Sequence, residues 1–197
     1  MERSNPISRK RALFWGVIAA VVLADAFTKV LAVDGLVPRV PHVVLGNFLR
    51  LTLVYNPGAA FGLHVGKYSR EIFSALSIAA LILLWQMYRS TRAGDRVRTL
   101  ALALVCSGAV GNLIDRVKSA QGVVDFLDVG IGIHRWPTFN VADMAVSCGA
   151  VVLAIVLWRE DAQAAARSRE ATVKQPEAVQ EELLLVPTRE PDAPLRG

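Results

Sequence analysis

Four ionisable side chains stand inside otherwise apolar runs of this 197-residue chain: Asp25 and Lys29, Asp115, and Asp143. Hydrocarbon makes an ionisable group costly, about 2.5 kcal/mol or more at a bilayer centre, so each calls for a reason. Carboxyls offer one. Two of them a few ångströms apart do not both ionise easily, and they share a proton over a wide pH range. The ionised member can take a proton from water while the protonated member polarises a carbonyl. Asparagine amides and backbone N–H groups can hold the oxyanion that results, and Asn56, Asn112 and Asn140 accompany the acids. Such chemistry needs no metal and no cofactor, and the chain suggests neither. His42, His64 and His134 are not spaced with a second His or a Cys, and Cys106 and Cys148 sit mid-span, where packing suits them. A Ser–Lys dyad using Lys29 fails on depth, because Ser107 and Ser147 both lie deeper than the acids on their own runs.

The elements that must position these groups follow from hydropathy. Hydrophobic residues make up 53% of the chain and charged ones 20%, with a mean hydropathy of +0.40. That excludes a disordered chain, a collagen and a disulfide-rich scaffold, and argues against an ordinary soluble enzyme. The apolar residues come in runs that reach bilayer length once their polar flanks are included. They predict transmembrane helices over 12–33, 70–88, 97–116 and 138–158. The first run is too long for the apolar region of a cleaved signal peptide, and three more follow it. Arg3, Arg9, Lys10 and Arg11 precede the first span, and Arg89, Arg92, Arg96 and Arg98 join the second to the third. The positive-inside rule makes that side cytoplasmic, with both termini inside. The basic excess is thereby explained by topology and anionic lipid, with no nucleic-acid partner implied.

On this topology Asp25, Lys29, Asp115 and Asp143 all fall at one level in the outer half of their helices. Asn56, Asn112 and Asn140 share it, and Asp125 and Asp128 from the 117–137 segment can reach it. Chance would scatter such residues over both leaflets. The outward segments also carry strand patterns, Phe48 to Tyr55 with alternating Leu49, Leu51 and Leu53, and Gly122 to Ile133 with β-branched residues among glycines. From Arg159 onward six basic and eight acidic residues with several prolines and no aromatics leave the tail at −2 against +7 for the rest. The expected architecture is an all-α membrane protein with four transmembrane helices, a small extracytoplasmic β-sheet region and a charged C-terminal tail. It divides into a membrane domain, 1–158, and a cytoplasmic tail, 159–197, disordered or a frayed helix, whose Ala-rich start can extend the last helix by a turn or two.

Three blocks tie the polar residues together: Asn56-Pro57-Gly58-Ala59-Ala60-Phe61-Gly62, Gly108-Ala109-Val110-Gly111-Asn112-Leu113-Ile114-Asp115-Arg116, and Phe139-Asn140-Val141-Ala142-Asp143, with Val123-Val124-Asp125-Phe126 between the last two. In this order, and with the Asp25-to-Lys29 stretch, they resemble the lipoprotein signal peptidases (signal peptidase II) over about residues 12–158. The resemblance implies a four-helix aspartic peptidase of the bacterial cytoplasmic (inner) membrane. Such an enzyme cuts a prolipoprotein just before a cysteine that carries a diacylglyceryl group, with its active site near the outer face. It implies catalytic roles for Asp125 and Asp143 and supporting roles for Asp25, Asn56, Asn112, Arg116 and Asn140, with Ala142 in the same block. Ala109 departs from the Gly-Gly-Ala-x-Gly often written there, and the tail lies beyond the family's usual core. The expected partners are diacylglyceryl prolipoproteins and membrane lipid, and the expected state is monomeric.

Read from the residues alone, Asp115 and Asp125 compete for the second catalytic role. Asp115 sits beside Arg116 on a helix, as an ionised structural partner would. Asp125 lies between Val124 and Phe126, which favours its protonated form. Gly58, Ala59, Ala60 and Gly62 are small enough to let a substrate backbone come close, or to form a tight turn. A small proton-coupled transporter is the rival reading, since intramembrane acids serve proton relays. Transporters place their sites near the midplane and often show internal repeats, whereas these acids lie to one side and no repeat is visible. A non-enzymatic membrane scaffold is the third reading, and it tolerates every Asp→Asn change.

Overall fold

The computed structural model describes residues 5–58 and 66–184, so Ala59, Ala60, Phe61, Gly62, His64 and the tail after 184 lie outside the described residues. Four helices are long and apolar enough to cross a membrane, and they carry a small antiparallel sheet, as the composition predicts. Helix α1 is Pro6–Gly35, α2 is Ser69–Ser90, α3 is Arg96–Lys118 and α4 is Val141–Leu184. Two compact units divide the chain after Ala154, within α4.

Helices α1 and α3 start where a side chain satisfies a free N–H group of the first turn. Asn5 Oδ1 accepts the Ile7 N–H at 3.0 Å with Pro6 following, and Asp95 Oδ1 accepts the Arg98 N–H at 2.9 Å. These are ordinary N-caps. The helices overrun the apolar runs because backbone hydrogen bonding continues into charged flanks that hydropathy ignores. At α4 the opposite holds. Its helix begins at Val141, not 138, because Phe139 donates to and accepts from the Leu127 backbone at 3.0 and 2.8 Å. Further on, α4 runs to Leu184, into the segment for which the sequence predicts a disordered tail or a frayed helix. Ala, Glu, Gln and Arg dominate that stretch, and all of them favour helix.

Within the first unit α3 is the central helix, burying nine residues from Thr99 to Asn112. Phe14 of α1 stacks on Tyr88 of α2 with ring centroids 3.8 Å apart, and both pack with Leu84, Leu102, Ala103 and Cys106. Lys10 Nζ donates to the Tyr88 and Thr91 carbonyls at 2.7 and 2.5 Å, closing the end of α2. Large apolar side chains such as Leu23, Phe27, Leu83 and Val151 are exposed, as a lipid-facing surface requires.

Strands β1 (His42–Leu45), β2 (Leu49–Asn56), β3 (Val123–Ile131) and β4 (His134–Arg135) lie in the order β1-β2-β3-β4. Arg135 Nε donates to Asp128 Oδ1 at 2.8 Å, and Thr52 donates to Asp128 Oδ2 at 3.1 Å. Arg135 also reaches the Asn47 carbonyl, tying the β3–β4 hairpin to the β1–β2 turn. Leu51 pairs with Leu127 and Val54 with Asp125, so β2 holds one residue more than β3 between these pairs. That bulge breaks the predicted Leu49-Leu51-Leu53-Tyr55 alternation. It turns Val54 and Asn56 to the face occupied by Asp125.

Small residues let the helices meet closely. A Cβ on Gly108 would stand 2.2 Å from the Ala142 carbonyl oxygen and 2.5 Å from Val146 Cγ2, whereas one on Gly16 would meet nothing within 4 Å. Gly108→Ala is therefore expected to destabilise the protein by about 1–3 kcal/mol, the range for overpacking. Gly16→Ala should stabilise it by up to about 1 kcal/mol through helix propensity. Thermal unfolding midpoints in detergent check both, and movement of the two in the same direction would contradict the packing described.

Candidate active site

Asp25 and Lys29 lie toward the C-terminal end of α1, Asn112, Asp115 and Arg116 at the C-terminal end of α3, and Asn140 to Asp143 at the start of α4. Since α1 and α3 end where α4 begins, these groups collect at one end of the bundle. Strands β2 and β3 bring Asn56 and Asp125 to the same place.

The start of α4 is the organising element. Asn140 Oδ1 accepts the Asp143 N–H at 2.9 Å, and Asp143 Oδ2 accepts the Asn140 N–H at 3.2 Å. This is a reciprocal capping box built from Asn and Asp. Asp25 supplies a third cap from another helix, its Oδ1 accepting the Ala142 N–H at 2.9 Å. The approach is allowed by Gly111, where a Cβ would lie 2.7 Å from Asp25 Oδ2 and 3.2 Å from Ala142 Cβ. Ala142 is fully buried against it. Asp143 thus sits in the first turn of a long helix, where the backbone dipole favours a carboxylate.

Asp125 is 3% exposed and is held from two sides. Asn140 Nδ2 donates to its Oδ1 at 2.7 Å, and Asn56 Nδ2 donates to its Oδ2 at 3.1 Å. Asn140 therefore links the two carboxyls directly. Asn112 Nδ2 adds a donor to Asp143 Oδ1 at 2.8 Å. Burial, reinforced by the nearby Asp143 charge, pushes the Asp125 carboxyl up to about 7, against the opposing pull of the Asn56 and Asn140 hydrogen bonds and the Lys29 charge. A buried carboxyl that holds its proton near neutrality, linked through Asn140 to a second carboxyl, is an arrangement that can support acid and base chemistry.

Asp115 has a different environment. Its Oδ2 is ion-paired with Lys29 at 2.7 Å and accepts the Val124 N–H at 3.3 Å. It anchors the entry of β3 and does not face Asp143 through a shared amide, as Asp125 does. Arg116 is partly buried, with Nη1 on the Asn112 carbonyl at 3.3 Å and the guanidinium 5.9 Å from the Phe73 ring centroid. Its buried Nε has no partner among the described residues.

Two expectations change. The room beside Gly58 is taken by the protein itself. This residue has φ +120°, and a Cβ there would lie 2.9 Å from Ser69 Cβ and 3.1 Å from the Phe73 ring. Its N–H donates to Asn56 Oδ1 at 3.0 Å, which orients that amide toward Asp125. Asp128, expected within reach of the acid layer, is committed to Arg135 and Thr52 on the sheet. Lys29 joins α1 to α3, pairing with Asp25 and Asp115 and donating to Asn112. The spacing of four from Asp25 signalled that pair, but no local spacing signals its contacts with α3. Cys106 is buried in the apolar core, and His42 and His134 are exposed on the sheet.

The profile of the family described as "Signal peptidase (SPase) II" matches residues 17–159. A lipoprotein signal peptidase of Desulforapulum autotrophicum is 42% identical over 141 residues, covering 69% of this chain and 86% of the relative. One of Cupriavidus necator is 40% identical over 157 residues, covering 78% and 87%. Among solved structures, a bacterial membrane enzyme at 2.3 Å resolution superposes with a TM-score of 0.68 at 30% identity, covering 76% of this chain and 90% of that one. A second, at 1.9 Å, has a TM-score of 0.65 at 32% identity and covers 73% and 91%.

Proposed function

Because the chain belongs to the signal peptidase II family, a family of membrane peptidases that remove signal peptides from lipoprotein precursors, we propose that it hydrolyses its substrate with Asp125 and Asp143 as an aspartic dyad. The observation that carries this reading is the bridging of the two carboxyls by Asn140 at the start of α4. Asp143, ionised at the helix N-terminus, takes a proton from water. The resulting hydroxide attacks the carbonyl carbon of the scissile peptide. Asp125, protonated, donates a hydrogen bond to the carbonyl oxygen as it becomes an oxyanion. Collapse of the tetrahedral intermediate breaks the C–N bond, and the proton gained by Asp143 passes to the departing amine. Asn112 and Asn56 hold the two carboxyls in place.

The scissile bond proposed is the one just before a cysteine carrying a diacylglyceryl group. Basic residues Lys10, Arg89, Arg92, Arg96 and Arg98 lie at the bundle end away from the dyad, so the positive-inside rule supports an active site near the outer face of the cytoplasmic membrane. A lipid-anchored residue can enter such a site laterally. Lifting its acyl chains into water instead would cost about 0.8 kcal/mol per CH₂. One chain supplies every group of the dyad environment, which suits a monomer.

Purified protein should cut a diacylglyceryl-modified precursor immediately before the cysteine and spare the unmodified precursor. Mass analysis of the products checks this, and equal cleavage of both forms overturns the substrate assignment. The raised Asp125 carboxyl also predicts a pH profile. The required form is protonated, so kcat/KM should be sustained just below about pH 7 and fall about tenfold per pH unit above it. A profile flat from pH 6 to 9 contradicts that role.

A further inference from the structure

We propose that Lys29 is a positioning residue for the reaction, acting by fixing which end of the Asn112 amide faces Asp143. This rests on the dyad reading above and goes beyond it to a residue that touches neither carboxyl of the dyad.

The Lys29 ammonium has three protons and three acceptors. Asp25 Oδ2 and Asp115 Oδ2 each lie at 2.7 Å, and Asn112 Oδ1 lies at 3.2 Å. The side chain is buried, with the whole residue 4% exposed. Every proton is therefore used inside the protein, and none is left for a substrate.

An ammonium only donates hydrogen bonds. Whichever end of Asn112 faces it must be the oxygen, so the NH₂ end points the other way, at Asp143 Oδ1 2.8 Å off. Asn140 enforces the same choice, because its Nδ2 also donates to Asn112 Oδ1, at 3.1 Å. The chain of donors runs in one direction, from Lys29 through Asn112 to Asp143. A flipped amide would set its NH₂ against the ammonium and its oxygen against the Asp143 carboxylate, opposing two donors at one end and two acceptors at the other. Lys29 makes that state inaccessible. Asp143 is thereby presented with a donor, as a carboxylate that must accept a proton from water requires.

The same ammonium pairs with Asp25, whose other oxygen caps the Ala142 N–H one residue before Asp143. It pairs with Asp115 too, whose Oδ2 accepts the N–H of Val124, the neighbour of Asp125. One cation on α1 is thus two hydrogen-bonded steps from the backbone beside each member of the dyad.

Lys29→Met alone strands the buried Asp25 and the half-buried Asp115 carboxylates, which is costly for folding. The decisive variant therefore combines it with Asp25→Asn and Asp115→Asn. Their amide oxygens can still accept the Ala142 and Val124 N–H groups, while the ammonium that fixes Asn112 is gone. Kinetics on a lipidated precursor and thermal unfolding are read together. The triple variant, and Lys29→Met where it folds, should lose kcat at least 30-fold with KM within about threefold. Lys29→Arg, which keeps donors at this position, should recover to within tenfold of the parent. A kcat within threefold of the parent in the folded triple variant overturns the proposal, as does a loss carried wholly by KM. If Asp125→Asn and Asp143→Asn prove active, the dyad reading itself fails. If those are inactive while the triple variant turns over normally, only the role of Lys29 fails.

Discussion

Asp143→Asn and Asp125→Asn are each expected to abolish cleavage of a lipidated precursor, lowering kcat by about 10³–10⁴-fold, while the protein remains folded in detergent or bilayer. Loss of a positioned acid or base costs up to about 10⁴ in rate, which corresponds to about 4–5.5 kcal/mol of barrier at 1.36 kcal/mol per tenfold. Folding should survive for local reasons. In Asp143→Asn the new amide oxygen can still accept the Asn140 N–H, so the cap at the start of α4 persists, and the lost charge removes no more than about 1 kcal/mol of helix-dipole stabilisation. In Asp125→Asn the buried group becomes neutral. One of its two donors, Asn56 or Asn140, then faces a competing NH₂, at a cost of about 1–3 kcal/mol. Activity within threefold of the parent in either variant removes that residue from the dyad. Asp115→Asn separates the two acids that compete in the sequence. It should lower stability by loosening Lys29 and the entry of β3, yet retain more activity than either dyad variant.

Asn140→Leu should be the second most damaging single change, and for a different reason. Asn140 is wholly buried and serves both carboxyls, the N-cap of α4 and the Asn112 amide. A leucine of similar size fills the space but removes a donor from Asp125 and an acceptor from the Asp143 N–H. An N-cap alone is worth about 0.5–2 kcal/mol, and each buried group left unpaired costs about 1–3 kcal/mol. A lower thermal midpoint should therefore accompany a kcat loss of about 10²–10³-fold, the scale seen when one oriented donor is taken from a reacting site. Asn140→Asp offers the contrasting case. It restores an acceptor for the Asp143 N–H but places a third carboxyl between two others, so stability should partly return without activity. Recovery of activity in Asn140→Asp would argue that only the cap matters.

These expectations share a structural cause. The proposed dyad draws on β3 and the start of α4, which β4 and its flanking loops separate, and neither element alone fixes the distance between them. Asn140 closes that gap by hydrogen bonding to both. Asn56 comes from β2, and only the bulge between Leu51 and Val54 brings it onto the face of Asp125. The irregularity of the sheet is thus what lets Asn56 reach Asp125.

Hydropathy and local spacing settled much of this in advance. Runs of bilayer length make helices whatever their neighbours, so the spans were legible from the chain alone. So was the convergence of Asp25, Lys29, Asp115 and Asp143 toward one end, because it follows from helix direction and position in each run. Pairs three or four apart on one helix, such as Asn140 with Asp143 and Asp25 with Lys29, were legible for the same reason. What spacing cannot carry is contact across elements. That Lys29 joins Asp115 and Asn112, that Asp115 is tied up while Asp125 faces the shared amide, and that the room at Gly58 belongs to Ser69 and Phe73 were decided by how helices and sheet pack. Hydrophobic pattern fixes which way an element faces, but only the packed structure fixes which polar atoms come within 3 Å. In a buried cluster, where each donor must find an acceptor, those distances assign the roles.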